Sequence, residues 1–243
     1  MRGLSGKRAV VTGAAGGIGS AICRRLASEG ASVAVTDLEP AACQALAREI
    51  GGSAHGLDVT DAGAARRLAD ELGEVDILVN NAGWDEVAPF LETTPDLWDR
   101  LLRVNLYGQI AVAHAFALGM ARRGSGTIVN IASDAGKAGS TGEAVYSAAK
   151  GGVIAFTRAL ARELARHQVR VNAVCPGPTD TPLLRAFEGE RGQRIIEGLK
   201  RAIPFRRFAQ PDEIAAMVAF LASDEAGYIT GQAFSVSGGL TMQ

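Results

Sequence analysis

A chain of 243 residues with 25 Lys and Arg against 26 Asp and Glu has a formal charge of −1, and 47% of it is hydrophobic. That is enough apolar material for one large domain, and the even spread of charge gives no basic footprint for nucleic acid or an anionic membrane. The longest apolar runs (75–79 and 214–222) are shorter than a bilayer, residues 1–7 lack a secretory apolar stretch, and Cys23, Cys43 and Cys175 have no metal-ligand spacing, so a cytoplasmic protein without a bound metal is expected.

Strand-like runs at 8–12, 32–36, 53–57, 75–79, 127–131, 169–174 and 233–236 alternate with helical patterns at 17–29, 39–50, 61–72, 95–122, 142–167 and 211–223. Most of the strands are nearly continuous in apolar residues, as in a sheet covered on both faces. Alternation of this kind implies right-handed βαβ units. The sequence therefore predicts a single α/β domain over 1–243, a Rossmann-type doubly wound parallel sheet of about seven strands with helices on both faces.

The first strand runs into Thr12-Gly13-Ala14-Ala15-Gly16-Gly17-Ile18-Gly19, which opens a helix. Gly13, Gly16, Gly17 and Gly19, with Ile18, let the backbone turn tightly against a pyrophosphate at the helix N-terminus. Asp37, at the end of the second strand and followed by Leu38, stands where a carboxylate binds the adenosine ribose hydroxyls. It would repel a 2′-phosphate, and neither Gly16 nor Leu38 supplies an arginine, so NAD is expected over NADP. At the third strand's end, Asp58 beside Val59 either accepts from the adenine amino group or serves the next helix start through Asp61. Asn81, Ala82 and Gly83, after the fourth strand, can line the ligand crevice at the sheet's carboxyl edge. Asn105 falls inside a long helix, a setting in which a polar residue more often faces solvent.

The fifth strand delivers Ser133, and Tyr146 and Lys150 follow one turn apart on one helix face. A phenol has a pKa near 10 in water. An ammonium about 4 Å away would stabilise the phenolate by roughly 4 kcal/mol at an effective dielectric near 20, or about 3 pKa units, placing Tyr146 near 7. Ser133 and Tyr146 would then present two donors to one substrate oxygen.

Taken together, Thr12 to Gly19, Asn80-Asn81-Ala82-Gly83, Ser133, Tyr146 to Lys150 and Pro176-Gly177 make the chain resemble the short-chain dehydrogenase/reductase family over nearly its whole length. The resemblance implies a catalytic tetrad of Asn105, Ser133, Tyr146 and Lys150. Tyr146 would exchange the proton, Ser133 hold the oxygen, and Lys150 bind the nicotinamide ribose as well as lower the tyrosine pKa. Asn105 would anchor a water linking the lysine to solvent. The resemblance also implies that Pro176, Gly177, Thr179 and Thr181 meet the cofactor, that residues 183–208 form a substrate lid, and that the assembly is a homotetramer.

Local stretches around Trp84-Asp85, Ser133-Asp134, Gly142-Glu143 and the last strand resemble the branch of this family that oxidises a ring β-hydroxyacyl-CoA with NAD. Trp84 offers a ring-facing wall, and Glu143 joins Ser133 and Tyr146 as a substrate contact. Arg185, Arg191, Arg194, Lys200, Arg201, Arg206 and Arg207 either meet CoA phosphates or form a solvated face paired with Glu188, Glu190 and Glu197. A 3-oxoacyl-carrier-protein reductase, a dehydrogenase of a free cyclic alcohol and a non-catalytic NAD sensor are the competing readings. For tetramer packing the apolar candidates are Trp98, Leu101, Leu102, Ala111, Ala113, Phe116 and Ala155, which are equally candidates for the core.

Overall fold

The computed structural model describes residues 1–181 and 189–243, with side chains described outside 182–195. Among these residues β1 (Arg8–Thr12), β2 (Ser32–Asp37), β3 (Ser53–Gly56), β4 (Ile77–Asn80), β5 (Gly126–Ile131), β6 (Val169–Pro176) and β7 (Ala233–Val236) form one seven-stranded sheet in the order β3-β2-β1-β4-β5-β6-β7. Every pairing is parallel. The order reverses between β1 and β4, so the chain winds first to one side and then to the other. A crevice opens there at the carboxyl edge, the place where doubly wound sheets hold ligands.

The helices are α1 (Gly17–Ser28), α2 (Pro40–Ile50), α3 (Ala62–Leu72), α4 (Pro95–Leu102), α5 (Gly108–Arg123), α6 (Ala135–Ala138), α7 (Ala144–Leu164), α8 (Gly189–Ala202) and α9 (Pro211–Ala222). Successive strand residues point to opposite faces, and the core divides accordingly. Val11, Ile77 and Val79 pack under Ile22 and Leu26 of α1 and Ile214, Val218 and Leu221 of α9. Their sequence neighbours Val10 and Leu78, with Ile128, pack under Leu68 of α3, Val112, Phe116 and Met120 of α5, and Ala161 of α7. Apolar residues on both faces of each central strand explain the unbroken apolar runs in the sequence.

Three departures from the expected elements bear on the site. The helix expected over 95–122 contains a π-helical turn at Arg103–Tyr107, which divides α4 from α5. The helix expected from 142 begins at Ala144, because Gly142 has φ +80° and cannot lie in a helical turn. A short helix, α6, follows β5 where none was expected. Pro95–Arg123 is also apolar and long enough to pass for a membrane span, with a mean hydropathy of 1.2, yet 56% of that window is buried inside the fold. It is apolar on so much of its circumference because it packs against both the sheet and α7.

Candidate active site

The glycine-rich turn is tied to its neighbours by backbone contacts that exclude side chains. Gly13 has φ +62°, and a Cβ on Gly19 would lie 2.2 Å from the Gly13 carbonyl oxygen, so only glycine lets α1 start this close to β1. The Thr12 hydroxyl accepts the N–H groups of Asn81 and Ala82, each at 3.0 Å, and Asn81 Nδ2 donates to the carbonyls of Thr12 and Gly13. Asn81 therefore organises the loop with its side chain. No side chain caps α1 at Gly16, and Ala15 and Gly16 are exposed, so the N–H groups of the first turn are presented to an anion. Gly17 and Ile18, the first residues of α1, are half-buried beneath that turn.

Asp37 closes the cradle on the other side. Its two oxygens accept the N–H groups of Ala15 at 2.9 Å and Leu38 at 2.8 Å, which fixes the carboxylate at the tip of β2. Asp58 is exposed, and its Oδ1 accepts both the N–H and the hydroxyl of Thr60, while Asp61 caps α3. Val59 is buried against Gly108, where a Cβ would come within 2.7 Å of its Cγ2. The cradle fits a dinucleotide: an uncapped helix start, glycines at the close approaches, and a fixed carboxylate at the ribose end.

Asn105, Ser133, Tyr146 and Lys150 converge at the carboxyl edge of β4 and β5. Asn105 is fully buried; its Nδ2 donates to the carbonyls of Trp84 at 2.6 Å and Leu101 at 3.0 Å, and its Oδ1 accepts the Trp84 N–H at 3.2 Å. The extra residue in the π turn turns this amide inward rather than to solvent. Gly83 lies between it and the lysine: a Cβ there would sit 2.9 Å from Asn105 Oδ1 and 3.3 Å from Lys150 Nζ. Lys150 donates to the Ile131 carbonyl at 3.0 Å. The Ser133 hydroxyl acts on the Tyr146 phenol, pulling its pKa down, and accepts the Ala135 N–H at 3.1 Å. Close packing of α6 on α7 holds Ser133 over Tyr146, since a Cβ on Gly136 would lie 2.6 Å from the Lys150 carbonyl carbon.

The electrostatics correct one expectation. Burial, followed by the charges of Asp85 and Glu143, pushes the Tyr146 phenol up from its ordinary value, and among the described residues the Ser133 hydroxyl pulls it down. The lysine nitrogen lies 5.7 Å from the phenol ring centroid, and burial pulls Lys150 itself down to about 8. The described residues therefore do not lower the phenol toward neutrality. Asp85 is pushed up to about 7, first by burial and then by its hydrogen bond to Glu143. The two acids meet because the Ala88 N–H donates to the Gly142 carbonyl at 2.9 Å and joins their loops. Asp85 Oδ1 is buried with no donor among the described residues.

Trp84 is half-buried with the Arg100 guanidinium 3.7 Å over its ring. Pro176 ends β6, and a Cβ on Gly177 would lie 2.8 Å from Ser237 Cβ. Thr179 is buried, with its hydroxyl on the Gly177 carbonyl at 2.9 Å, and Thr181 is half-buried at the end of this segment. Of the basic residues assigned to the lid, Arg185 lies outside the described residues, and the side chains of Arg191 and Arg194 lie outside the described side chains. Arg207 holds both oxygens of Glu213 at 2.7 Å, at the start of α9, so its charge serves that helix. Lys200 pairs with Glu197 at 3.5 Å, and Arg206 donates to the Arg201 carbonyl.

Asp85, Gln109, Asn130 and Thr157 lie at or beneath this candidate site, and the sequence assigns none of them a role there. Asn130 Nδ2 donates to Thr157 Oγ1 and Asn80 Nδ2 to Asn130 Oδ1, each at 2.9 Å, beneath the catalytic edge. Polar residues at apolar positions of a strand or core helix were the available signal.

The chain matches a family model described as enoyl-(acyl carrier protein) reductase over residues 13–241. It is 39% identical to (3R)-3-hydroxyacyl-CoA dehydrogenase of Homo sapiens, covering 96% of this chain and 95% of that one. Identity to D-threitol dehydrogenase of Mycolicibacterium smegmatis is 42%, over 99% and 95% of the two chains. A solved structure described as ribose-5-phosphate isomerase from Brucella melitensis 16M superposes with a TM-score of 0.91 and 39% identity, over 97% of this chain and 93% of that one.

Proposed function

From the premise that this chain belongs to the short-chain dehydrogenase/reductase family and is an oxidoreductase of hydroxyl and keto groups, we propose that it interconverts a secondary alcohol and a ketone of a β-hydroxyacyl-CoA, with NAD. The observation that carries this reading is the pairing of the Ser133 hydroxyl with the Tyr146 phenol, backed by Lys150 on the Ile131 carbonyl. Ser133 would orient the substrate oxygen and Tyr146 would take or give its proton, while Lys150 would balance charge and bind the cofactor ribose. The nicotinamide, when bound, supplies the hydride acceptor or donor. Gly13, Gly16 and Gly19 would receive the pyrophosphate, and Asp37 the adenosine ribose hydroxyls, which favours NAD over NADP.

A relative that acts on a hydroxyacyl-CoA supports the thioester class. Within it we favour a ring substrate such as 2-hydroxycyclohexanecarboxyl-CoA, because Trp84 is fastened beside the tetrad through Asn105 and would turn toward the ring the face that Arg100 does not cover. A second reading, a free polyhydric or cyclic alcohol, is favoured by the carboxyl pair Asp85 and Glu143, whose oxygens suit hydroxyl donors, and by the similarity to a threitol dehydrogenase. The 3-oxoacyl-carrier-protein reductase reading is weakened by Asp37, since it would normally call for NADPH.

Initial-rate assays discriminate these readings. With NAD, the ring thioester and 3-hydroxybutyryl-CoA should turn over well, and cyclohexanol and threitol poorly. Turnover of the free alcohols alone would overturn the thioester assignment and leave the tetrad standing. Tyr146→Phe should retain NAD binding and lose turnover by orders of magnitude; near-normal turnover would sink the mechanism.

A further inference from the structure

The helix that carries Asn105 delivers a second buried amide to the site. Gln109, four residues on and 2% exposed, donates through Nε2 to the Ile131 carbonyl at 3.0 Å. The same carbonyl accepts Lys150 Nζ at 3.0 Å. Gln109 is itself held from below, because Asn80 Nδ2 donates to its backbone carbonyl at 3.3 Å. Thus one amide fastens the segment after β4 at Trp84, another fastens the β5 end at Ile131, and the lysine nitrogen lies beside both, on the Ile131 carbonyl and close to Gly83.

We propose that Gln109 is a positioning residue for Lys150, acting through the Ile131 carbonyl that the two side chains share. A carbonyl oxygen has two lone pairs. Gln109 occupies one and leaves the ammonium the other, so the lysine keeps its place while the oxygen's capacity to stabilise its charge is divided. Burial already pulls Lys150 down to about 8, and Gln109 works in the same direction. Among the described residues the titratable groups facing the lysine from other elements are Cys175 of β6 and Asp85 after β4, with the Tyr146 ring on its own helix. Cys175 is pushed up to about 11 and Asp85 to about 7. Cys175 therefore stays neutral where Lys150 titrates, whereas Asp85 gains its charge in an overlapping window and raises the Lys150 midpoint, so the Gln109 variants are compared in an Asp85→Asn background as well as in the wild type.

The proposal rests on the functional reading of Lys150, but its test needs no turnover. The chain has four lysines, Lys7, Lys137, Lys150 and Lys200. An isotopic carbon label at lysine Cε gives signals that can be followed against pH by NMR in the ligand-free protein, with Lys150 assigned by its loss in Lys150→Met. Gln109→Leu removes the shared donor together with the buried acceptor Gln109 Oε1, which has no partner among the described residues, and so should fold. It should raise the Lys150 midpoint by about half a pH unit. Gln109→Glu should raise it further, and the alkaline limb of the NAD-dependent oxidation rate should move in step. A merely structural role would lower the melting temperature without moving either midpoint. A Lys150 midpoint that stays or falls in Gln109→Leu overturns the proposal, and Gln109→Met provides a repeat if the glutamate variant fails to fold. If the wild type oxidises no hydroxyacyl-CoA, the functional reading fails while the NMR titration still decides this one.

Discussion

Tyr146 shares its pocket with two carboxyls, and they decide what a lysine one turn away can do to it. An ammonium about 4 Å from the phenolate would bring the phenol near neutrality. Burial and the charges of Asp85 and Glu143 act the other way, so the phenol holds its proton until the pocket gains positive charge or the acid pair retains a proton of its own. Asp85 titrates at about 7 against an ordinary 3.8. Between those values the folded chain binds a proton that the unfolded chain has lost, so this group's contribution to stability falls as pH rises through that window. Asp85→Asn should remove the fall: urea midpoints at pH 5 and pH 8 should lie closer together in the variant than in the wild type. An unchanged gap would show that Asp85 is not protonated in the fold. Tyr146 and Lys150 were legible from sequence because their spacing is local. The acid pair was not, because a loop contact between Ala88 and Gly142 brings it together. Asp37 was legible from its place at a strand end. Replacing Asp37 with Ala and Gly16 with Arg should shift preference from NAD toward NADP, read from the ratio of kcat/KM values; an unchanged ratio would remove the carboxylate from cofactor choice.

At the scale of elements, strands were read to within a few residues because a sheet buried on both faces writes itself as unbroken apolar runs. The π turn at Arg103–Tyr107 was illegible, since one extra residue in a turn leaves the apolar pattern of a long helix almost intact. Yet that residue makes Asn105 a buried clamp on Trp84. Helix α6 was missed for a related reason: four residues carry no periodicity. Its function lies in its approach to α7, where Gly136 admits the Lys150 backbone. Gly136→Ala should force α6 away from α7, at a cost of about 1–3 kcal/mol, and separate Ser133 from Tyr146. Turnover should then fall well beyond the loss of folded protein, with NAD binding retained. Loss of turnover only in proportion to unfolding would show that α6 does not position Ser133.

For the whole molecule, the sheet order puts the glycine turn, the Asn81 to Gly83 segment, Ser133 and Pro176 along one carboxyl edge, so that distant motifs become one site. The opposite question is what covers the outer side of α4 and α5. Leu101, Ala111, Ala113 and Phe116, which the sequence left open between core and interface, are 3%, 9%, 0% and 4% exposed and belong to the core. The apolar residues that remain outside are Leu102, Tyr107, Ile110 and Leu118, 40%, 44%, 37% and 37% exposed. Periodicity alone could not sort these two sets, because a helix apolar around most of its circumference has no unique inner face. We propose that the outer set is covered by further copies of the chain in a homotetramer, as closed symmetry would allow. Light scattering at micromolar concentration should then give four times the 25.2 kDa of one chain. Ile110→Asp together with Leu118→Asp should lower that mass while keeping the far-ultraviolet circular dichroism of the wild type. Leu101→Asp should instead unfold the protein, because it buries an unpaired charge in the core. A monomeric wild type would leave these exposed side chains without a partner copy and remove the tetramer.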